Sequence, residues 1–300
     1  MPSILDSINA AAPALWLEVS PPRGVNPGPL LRRLAALVGH VDAINLTDNA
    51  LGKVKMSGLV FAAAIKGRLK IPVVLNLSCR DRNRFALKSD LLGAAALGID
   101  AIVALSGDKI PPGADGVAIA SHDLDACRLL AMIADLNRGD TGEGRPPLAR
   151  IPSIVAGAVA NPNRKNIERE FDLLARKAAA GARFVITQPV FDADTGRRFI
   201  AKASSLGVST MLGILPVKRE AMATYLIDRV KDLKGVRSYL GRFGGMSEEE
   251  VRATSLRDSL ALMKSLAGEA AGFVIMSGGG PSLAIELALE FSSWRMETGK

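Results

Sequence analysis

Short apolar runs alternate with longer amphipathic segments along almost the whole chain. The runs are apolar on both faces and rich in Val and Ile, which is typical of parallel strands covered by helices. We predict eight strands, at Leu15–Ser20, Ala43–Thr47, Val73–Ser78, Ala101–Leu105, Ile154–Val159, Phe184–Val190, Thr210–Val217 and Phe273–Ser277. Helical periodicity is clearest at Pro29–Val38, Ser57–Leu69, Asn83–Leu97, Leu124–Asn137, Arg164–Ala180, Asp194–Ser204 and Glu248–Leu266.

This order of elements predicts an α/β protein whose residues 1–300 form a single (β/α)8 TIM barrel with parallel strands. An open dinucleotide-binding sheet is disfavoured because no Gly-x-Gly-x-x-Gly pattern follows the first strand. The Gly/Pro-rich segment 139–150, GDTGEGRPPLAR, is predicted to be a loop rather than a domain linker, since the alternation resumes directly after it.

The composition of the chain limits the kinds of ligand that the protein is expected to bind. Hydrophobic residues make up 48% of the chain, enough for a large core, whereas the aromatic share of 4% argues against base stacking on single-stranded nucleic acid. The net charge of +8 comes from basic residues that are spread along the chain. We therefore expect no nucleic-acid partner, and instead an acidic small ligand such as a phosphate or a polycarboxylate.

The chain also lacks the patterns of a membrane or secreted protein. No apolar run is long enough to span a bilayer, and Asp6 lies where a signal peptide would be basic or apolar. The chain has two cysteines, which are too few for a disulfide framework. Together with the two histidines, His40 and His122, they do not make a convincing metal site. We expect a cytoplasmic protein without membrane contact and without a bound metal.

Candidate chemistry lies at the strand ends, where barrel enzymes place their active sites. Glu18 stands between Leu17 and Val19 on the first strand. A buried carboxyl is costly unless it stays protonated or finds a partner. A protonated Glu near neutral pH can act as a general acid, and the alternative is an ion pair with Arg or Lys at the barrel mouth.

Two further polar residues end strands. Asp108 follows the fourth strand. It could be a carboxylate of the site, or it could simply cap a loop. Gln188 lies within TQPVF, where its amide could bind a heterocycle edge or be a satisfied core amide. The loop SGGGP (277–281) could hold a phosphate through backbone N–H groups. Because nothing resembles a Ser-His-Asp or Cys-His arrangement, carboxylates are the candidate acid–base residues.

Motifs at these strand ends resemble the methylenetetrahydrofolate reductase family. They occur in the family's order and are most similar to the branch whose reductase part is fused elsewhere to a homocysteine methyltransferase. The match is weak beyond residue 217. The matching segments are LEVSPPRG (17–24), INLTDN (44–49), LSCRDRNRFALKSDLLGAAALGI (77–99), VALSGD (103–108), LNRG (136–139), GARFVITQPVFD (181–192) and GILPV (213–217).

The resemblance implies a flavoprotein that interconverts 5,10-methylenetetrahydrofolate and 5-methyltetrahydrofolate with electrons from NADH or NADPH. The flavin would be FAD, with FMN as the alternative, and the folate could carry an acidic polyglutamate tail. Glu18 then corresponds to the general acid, Asp108 to a carboxylate beside the pterin and flavin, and Gln188 to an amide that contacts folate. The physiological direction, homo-oligomer formation and a partner protein are left open.

The same resemblance implies a set of flavin contacts. They are Thr47, Asn76, Ser78, Ser106, Gly107, Asp108, Asn161, Glu170 and Lys177. Arg80–Asn83 could start a helix beside the flavin phosphates, or Arg80 or Arg82 could pair with Asp90 or Asp108.

Three departures from the family pattern motivate an alternative function. Asn76 stands where the family commonly has His, AGAVANP replaces a Tyr-containing stretch, and Lys218 follows GILPV where some relatives have an aromatic residue. The alternative is a folate- or flavin-binding subunit that does no chemistry without a partner. A barrel aldolase or pterin-site transferase is disfavoured because no strand ends in a convincing Schiff-base Lys.

Overall fold

Eight parallel strands close into a barrel in which each strand pairs with its neighbours in sequence and the last pairs with the first. The computed structural model describes residues 3–99, 101–108, 120–121, 123–142, 144, 146–229 and 236–299. The strands are β1 (Ala14–Val19), β2 (Ala43–Leu46), β3 (Val73–Ser78), β4 (Ala101–Leu105), β5 (Val155–Ala160), β6 (Phe184–Pro189), β7 (Ser209–Ile214) and β8 (Gly272–Met276).

Helices surround this barrel. In the described ranges they are α1 (Ile4–Ile8), α2 (Gly28–Leu34), α3 (Gly58–Leu69), α4 (Arg84–Ala96), α5 (Ala126–Leu136), α6 (Ile167–Ala179), α7 (Ala193–Ser205), α8 (Glu220–Arg229), α9 (Arg237–Gly241), α10 (Glu248–Leu266) and α11 (Ser282–Thr298). Within this part of the chain, no helix is both long and apolar enough to cross a membrane.

The predicted (β/α)8 barrel is confirmed, and most strand bounds agree within one residue. The main difference is β7, which ends at Ile214 rather than at Val217. The chain leaves the sheet there because Leu215 and Val217 pack into a separate apolar cluster with residues of α8, α9 and α10. His122 and loop positions 143 and 145 lie outside the described residues.

Side-chain caps fix where several helices begin after a strand. Asn83, Asp125, Asn166 and Asp192 each accept a hydrogen bond from the backbone N–H three residues further on. Such caps satisfy backbone donors that have no partner within the helix. Asn83, the last residue of the segment Arg80–Asn83, is thus the cap of the helix after β3.

Two aromatic rings fill the interior of the barrel. Trp16 of β1 and Phe184 of β6 pack edge to face with their centroids 5.4 Å apart, and both are fully buried. Gly157 of β5 lies beside Phe184 in register, and a Cβ there would come within 2.2 Å of the Phe184 ring. The interior is therefore a packed core in which a large residue requires a small neighbour.

The substitution Gly157→Ala should lower the free energy of unfolding by about 2 to 3 kcal/mol, since overpacking a rigid core forces rings and backbone to shift. Urea denaturation measures the change. The control is Gly67→Ala in α3, where nothing lies within 4 Å of the new Cβ. This exposed helical site should gain up to about 1 kcal/mol from the higher helix propensity of Ala. Equal stability of Gly157→Ala and the native chain would contradict the packing.

An ion pair closes the end of the barrel opposite the strand carboxyl ends. Asp42, just before β2, accepts hydrogen bonds from the N–H of Leu15 and from Arg295 of α11, both at 2.7 Å. Arg295 also donates to the carbonyl of Pro13 at 3.0 Å. These bonds attach α11, the last helix, to the start of β1. The first strand and the last helix are therefore held together at the end of the barrel opposite the carboxyl ends of the strands.

Candidate functional site

A ring of partly or fully exposed side chains surrounds the carboxyl ends of the strands. Its members are Glu18, Leu105, Val159, Gln188 and Met276, and the residues on either side of each in the strands are buried. Since strand side chains alternate between faces, and the residues two positions earlier pack inside the barrel, these five side chains face the barrel mouth. Two of the three residues predicted to be catalytic therefore share this opening.

Burial raises the pKa of Glu18 from 4.5 to about 7. In the described chain no hydrogen bond or ion pair to its carboxyl is found, and its neighbours in register are the uncharged Asn45 and Met276. The ion pair considered as an alternative is therefore not present in this part of the structure. A carboxyl that titrates near neutral pH can both hold and release a proton under physiological conditions.

The raised pKa of Glu18 predicts a pH-dependent stability. The unfolded chain ionises this carboxyl near 4.5 and the folded protein near 7, so folding becomes less favourable as the pH rises between these values. Glu18→Gln removes that dependence. Allowing for partial solvent exposure, the variant should gain about 2 kcal/mol over the native protein on going from pH 5 to pH 8.

Urea denaturation of both proteins at the two pH values measures this gain. The exposed Glu290 provides the control, because Glu290→Gln should show the same stability difference from the native protein at either pH. A Glu18→Gln variant that gained nothing at pH 8 would show that the carboxyl is well solvated in the fold.

Two buried amides lie among the inward-facing residues. Asn45 is 1% exposed and Asn76 is 8% exposed. Both amide atoms of Asn45, and Oδ1 of Asn76, lack a hydrogen-bond partner among the described residues. Each unsatisfied buried polar group costs about 1–3 kcal/mol, so such groups point to a ligand or a functional neighbour. Asn76 was predicted from sequence, whereas Asn45 was missed, although it is a polar residue within the apolar run of β2.

Three predicted residues meet where the loops after β3 and β4 touch. Gly107 has φ of +91°, and a Cβ there would lie 2.4 Å from Oγ of Ser78. The adjacent Asp108 is exposed, and its Oδ2 accepts a hydrogen bond of 2.9 Å from the N–H of Leu51 in the loop after β2. Asp108 thus caps a loop, the alternative considered from sequence, while its side chain stays accessible.

Arg82 connects two acidic residues from different parts of the chain. It donates to Asp48 at 2.6 Å and to Asp90 at 2.7 Å, and Asp48 also accepts from the N–H of Ser78 at 2.8 Å. The pairing of Arg82 with Asp90, one of the alternatives from sequence, is confirmed. These contacts join the end of β3 to the loop after β2 and to α4.

Arg80 joins the neighbouring loops. Its guanidinium donates to the Asp81 carboxylate at 2.5 Å, and to the carbonyls of Asn49 at 3.1 Å and Asp108 at 3.2 Å. Its contact with Asp108 is therefore to the main chain and not to the carboxylate. Both arginines of the polar cluster after β3 have protein partners, and their contact with flavin phosphates stays a prediction.

Glu170 and Lys177 of α6 brace the end of β5. Glu170 is 2% exposed; it accepts from the N–H of Asn161 at 2.9 Å and forms an ion pair with Arg164 at 2.9 Å. Lys177 donates to the carbonyl of Val159 at 2.6 Å, and burial lowers its pKa. The structure brings these three predicted residues together through protein contacts, and their contact with flavin stays a prediction.

Thr47 and Ser106 lie at other strand ends. The Thr47 hydroxyl shares a hydrogen bond of 2.8 Å with the hydroxyl of Ser20, and Ser106 accepts from the N–H of Ala126 at 3.3 Å. Ser106 thus supports the start of α5. Both residues border the mouth, and their flavin contacts also stay predictions.

The pairing of β6 with β7 is irregular around Gln188. The register between β6 and β7 shifts between Ile186 and Pro189. The Thr187 hydroxyl accepts from the N–H of Gly213 at 2.9 Å, and a Cβ on Gly213 would lie 2.4 Å from the Thr187 carbonyl. Close strand approach therefore requires Gly213, and the exposed Gln188 is not a satisfied core amide.

The glycine-rich loop after β8 is held by a lysine. The ammonium of Lys218 donates to the carbonyls of Ser277, Gly278 and Gly280. Burial is the main cause that lowers the pKa of Lys218. The carbonyl side of the loop thus faces a cation, so a phosphate could meet only the remaining N–H groups of this loop.

A cavity of about 840 Å³ lies between α6 and α7, outside the barrel mouth. It is lined by Phe171, Phe199, Arg198 and Lys202, among others, and by none of the predicted site residues. The candidate site is therefore assigned to the barrel mouth from the side chains that lie there, and this cavity is not part of it.

The eight parallel strands form a closed (β/α)8 barrel, and Glu18, whose pKa is raised, lies at the C-terminal ends of these strands. This is the end of the barrel at which such folds carry acid–base chemistry. The chain belongs to the methylenetetrahydrofolate reductase family, whose family model matches residues 3–237. The resemblance found in the sequence is thereby confirmed.

Two curated relatives illustrate the similarity. The probable methylenetetrahydrofolate reductase (NADPH) of Caenorhabditis elegans is 29% identical over 211 residues, which cover 67% of this chain and 30% of that protein. The 5,10-methylenetetrahydrofolate reductase of Salmonella typhimurium is 31% identical over 166 residues, covering 55% of this chain and 50% of that protein. The matches thus span half or less of the length of these relatives.

Solved structures share the fold at low sequence identity. An uncharacterized protein from Clostridium thermocellum that binds two copies of 5-methyl-5,6,7,8-tetrahydrofolic acid superposes with a TM-score of 0.65 at 14% identity, covering 97% of this chain and 98% of that one. Tryptophan synthase from Mycobacterium tuberculosis gives 0.53 at 14% identity over 98% of both chains. At such identities the likeness concerns the barrel alone.

Proposed function

We propose that this protein is a flavin-dependent oxidoreductase that interconverts 5,10-methylenetetrahydrofolate and 5-methyltetrahydrofolate with electrons from NADH or NADPH. The observation that carries the proposal is Glu18, a carboxyl with a pKa of about 7 at the barrel mouth of a member of this family. The two named relatives and the folate-binding barrel from Clostridium thermocellum support it.

Glu18 supplies the proton that the reduction requires. Hydride can add to the methylene carbon only after the five-membered ring of the folate opens to a cationic iminium. Protonation of the departing ring nitrogen by Glu18 makes it a better leaving group, so the C–N bond breaks and the iminium forms. Because burial raises the pKa of Glu18 to about 7, the protonated form is far more populated at neutral pH than in an ordinary Glu.

The residues at the mouth fit a flavin. The orphaned Oδ1 of Asn76 can accept a hydrogen bond from a ring N–H, and its burial below the mouth suits the edge of a planar heterocycle. Gly107 lets the backbone after β4 pass close to Ser78 and Arg80, which brings the predicted contacts Ser78 and Gly107 together. When bound, the flavin would pass the hydride from the nicotinamide to the folate. FAD is the proposed form, with FMN as the alternative.

Gln188 and Asp108 would position the folate. The exposed amide of Gln188 offers a donor and an acceptor to the pterin edge. The exposed carboxylate of Asp108, held by the N–H of Leu51, would stabilise positive charge that develops on the opened ring. The N–H of Leu51 holds Asp108 in place, so this carboxylate needs little reorganisation on binding.

Anaerobic turnover tests the proposal. The purified protein, supplied with FAD, is mixed with 5,10-methylenetetrahydrofolate and NADH or NADPH, and 5-methyltetrahydrofolate is quantified by chromatography. We expect one product molecule for each nicotinamide oxidised. Absence of product with either nucleotide, and of methyltetrahydrofolate oxidation with an artificial electron acceptor, would overturn the assignment.

The second candidate is a folate- or flavin-binding subunit without chemistry of its own. It is favoured by Lys218, which is fixed on the β8 loop where some relatives have an aromatic residue. This candidate predicts binding of 5-methyltetrahydrofolate measurable by calorimetry together with no turnover in the assay above.

A further inference from the structure

One side chain, the guanidinium of Arg80, binds both loops that meet at the Asp108 carboxylate. The N–H of Leu51 donates to Oδ2 of Asp108 at 2.9 Å. Arg80 donates to the carbonyl of Asn49 at 3.1 Å and to the carbonyl of Asp108 at 3.2 Å. Asn49 lies two residues before Leu51 in the loop after β2. Arg80 therefore holds the backbone beside both partners of the hydrogen bond between Leu51 and Asp108.

The guanidinium of Arg80 is itself fixed in orientation. Arg80 is 5% exposed, and the carboxylate of Asp81 accepts from its Nε at 2.5 Å and from one terminal nitrogen at 2.6 Å. Nδ2 of Asn49 donates to the same carboxylate at 3.3 Å. Such a two-bond pairing between a planar guanidinium and a carboxylate sets the direction of the remaining N–H groups, which an ammonium cannot do.

The hydrogen bonds of Arg80 favour a role in the loops over contact with a ligand phosphate. A guanidinium has five N–H donors in all. Four hydrogen bonds, two to the Asp81 carboxylate and one each to the carbonyls of Asn49 and Asp108, leave at most one N–H unused. Bidentate binding of a phosphate needs two free N–H groups, so we infer that Arg80 acts through its neighbours in the protein.

The loop after β2 has a backbone conformation that requires support. Asn49 and Leu51 have φ of +43° and +57°, in the left-handed region that is unfavourable for residues with a side chain. The Leu51 side chain is 50% exposed, so its burial contributes little to holding this conformation. The N–H of Lys55 donates to Oδ1 of Asn49 at 3.0 Å. Together with the bonds to Arg80 and Asp108, this contact holds the loop so that the Leu51 N–H points at the carboxylate.

We propose that Arg80 is a positioning residue for Asp108. It holds the backbone of Asp108 and, through Asn49, the N–H of Leu51, so that the carboxylate keeps one orientation at the end of β4. Arg80 acts on Asp108 through the main chain and does not touch its carboxylate. The meaning of that orientation for folate binding rests on the proposed function, whereas the hydrogen-bond network does not.

Hydrogen exchange of the Leu51 amide tests the network without any ligand. Arg80→Lys keeps the charge and loses the planar set of donors, so the loop opens more often and the Leu51 N–H should exchange about tenfold faster. Asp81→Asn keeps Arg80 but weakens the pairing that orients it, and should give a smaller increase of about threefold. Exchange is followed by NMR spectroscopy of the ¹⁵N-labelled protein.

Arg82→Lys is the matched control. Arg82 lies in the same polar cluster and also donates to two carboxylates, but its described contacts include neither Leu51 nor Asp108. The control should leave exchange of the Leu51 amide within about twofold of the native rate. The inference fails if Arg80→Lys leaves this exchange unchanged, or if the control accelerates it equally. Should Arg80→Lys not fold, Asp81→Asn decides in the same way.

Binding of 5-methyltetrahydrofolate, measured by calorimetry, tests whether Arg80 acts through Asp108. Arg80→Lys should weaken binding about tenfold in the native protein but less than about twofold in Asp108→Asn, where the carboxylate to be positioned is absent. Equal losses in the two backgrounds, or a matching loss of flavin affinity, would overturn the inference. A protein whose Leu51 exchange responds as expected but which binds no folate would instead leave the positioning of Asp108 standing and refute the proposed function.

Discussion

Replacement of Glu18 by Gln should lower the rate of 5,10-methylenetetrahydrofolate reduction by at least about 100-fold, the lower end of what a general acid contributes. Gln has nearly the same size but cannot donate a proton to the ring nitrogen, so the iminium forms slowly. Reduction of the bound flavin by NADH or NADPH should change little, because that step needs no proton from Glu18. Stopped-flow spectroscopy measures the two half-reactions separately.

The control for this variant is Glu290→Gln on the exposed side of α11, which should retain both half-reactions. Equal losses in the two half-reactions of Glu18→Gln would point to a damaged flavin site. Full folate reduction by the variant would show that another group supplies the proton.

The rate of folate reduction should fall as the pH rises through the pKa of Glu18 of about 7. Only the protonated carboxyl acts as an acid, so each pH unit well above this value should lower the rate tenfold. Between pH 6 and pH 9 the decrease amounts to roughly 100-fold. Single-turnover oxidation of the reduced protein by 5,10-methylenetetrahydrofolate, measured across this range, gives the profile.

The reverse reaction provides an internal check on the direction in which the rate changes with pH. Oxidation of 5-methyltetrahydrofolate uses the ionised Glu18 as a base, so its rate should rise over the same pH range. The residual rates of Glu18→Gln should lack this transition in both directions. Native profiles that were flat through pH 7 would assign the proton transfer to a different group.

The sequence was sufficient to predict the barrel because its strands are buried on both faces and their apolar runs are therefore nearly continuous. The bounds of β3 and β4 were predicted without error. The helices at Glu220–Arg229 and Ser282–Thr298 were not assigned, although Leu283, Leu287 and Phe291 recur at helical spacing and are buried. Helical spacing alone would have indicated this last helix.

From sequence alone, a candidate site residue could be recognised only where that residue by itself differs from its surroundings. Glu18 stands out because a single carboxylate interrupts an apolar strand. Asn45 becomes informative only when the register places it beside Glu18, and register depends on contacts between strands. The partners of Arg80 and Arg82 were likewise undecided from sequence, because several acidic residues lay within reach until the loops were placed.

The visible absorption spectrum of the purified protein tests the central claim most directly. It is recorded under anaerobic conditions, first alone, then with NADH or NADPH, and finally with 5,10-methylenetetrahydrofolate. We expect a flavin spectrum that bleaches with the nicotinamide and returns when the folate is added, with formation of 5-methyltetrahydrofolate. A protein that stays colourless after incubation with FAD or FMN, or a reduced flavin that the folate does not reoxidise, would contradict the account.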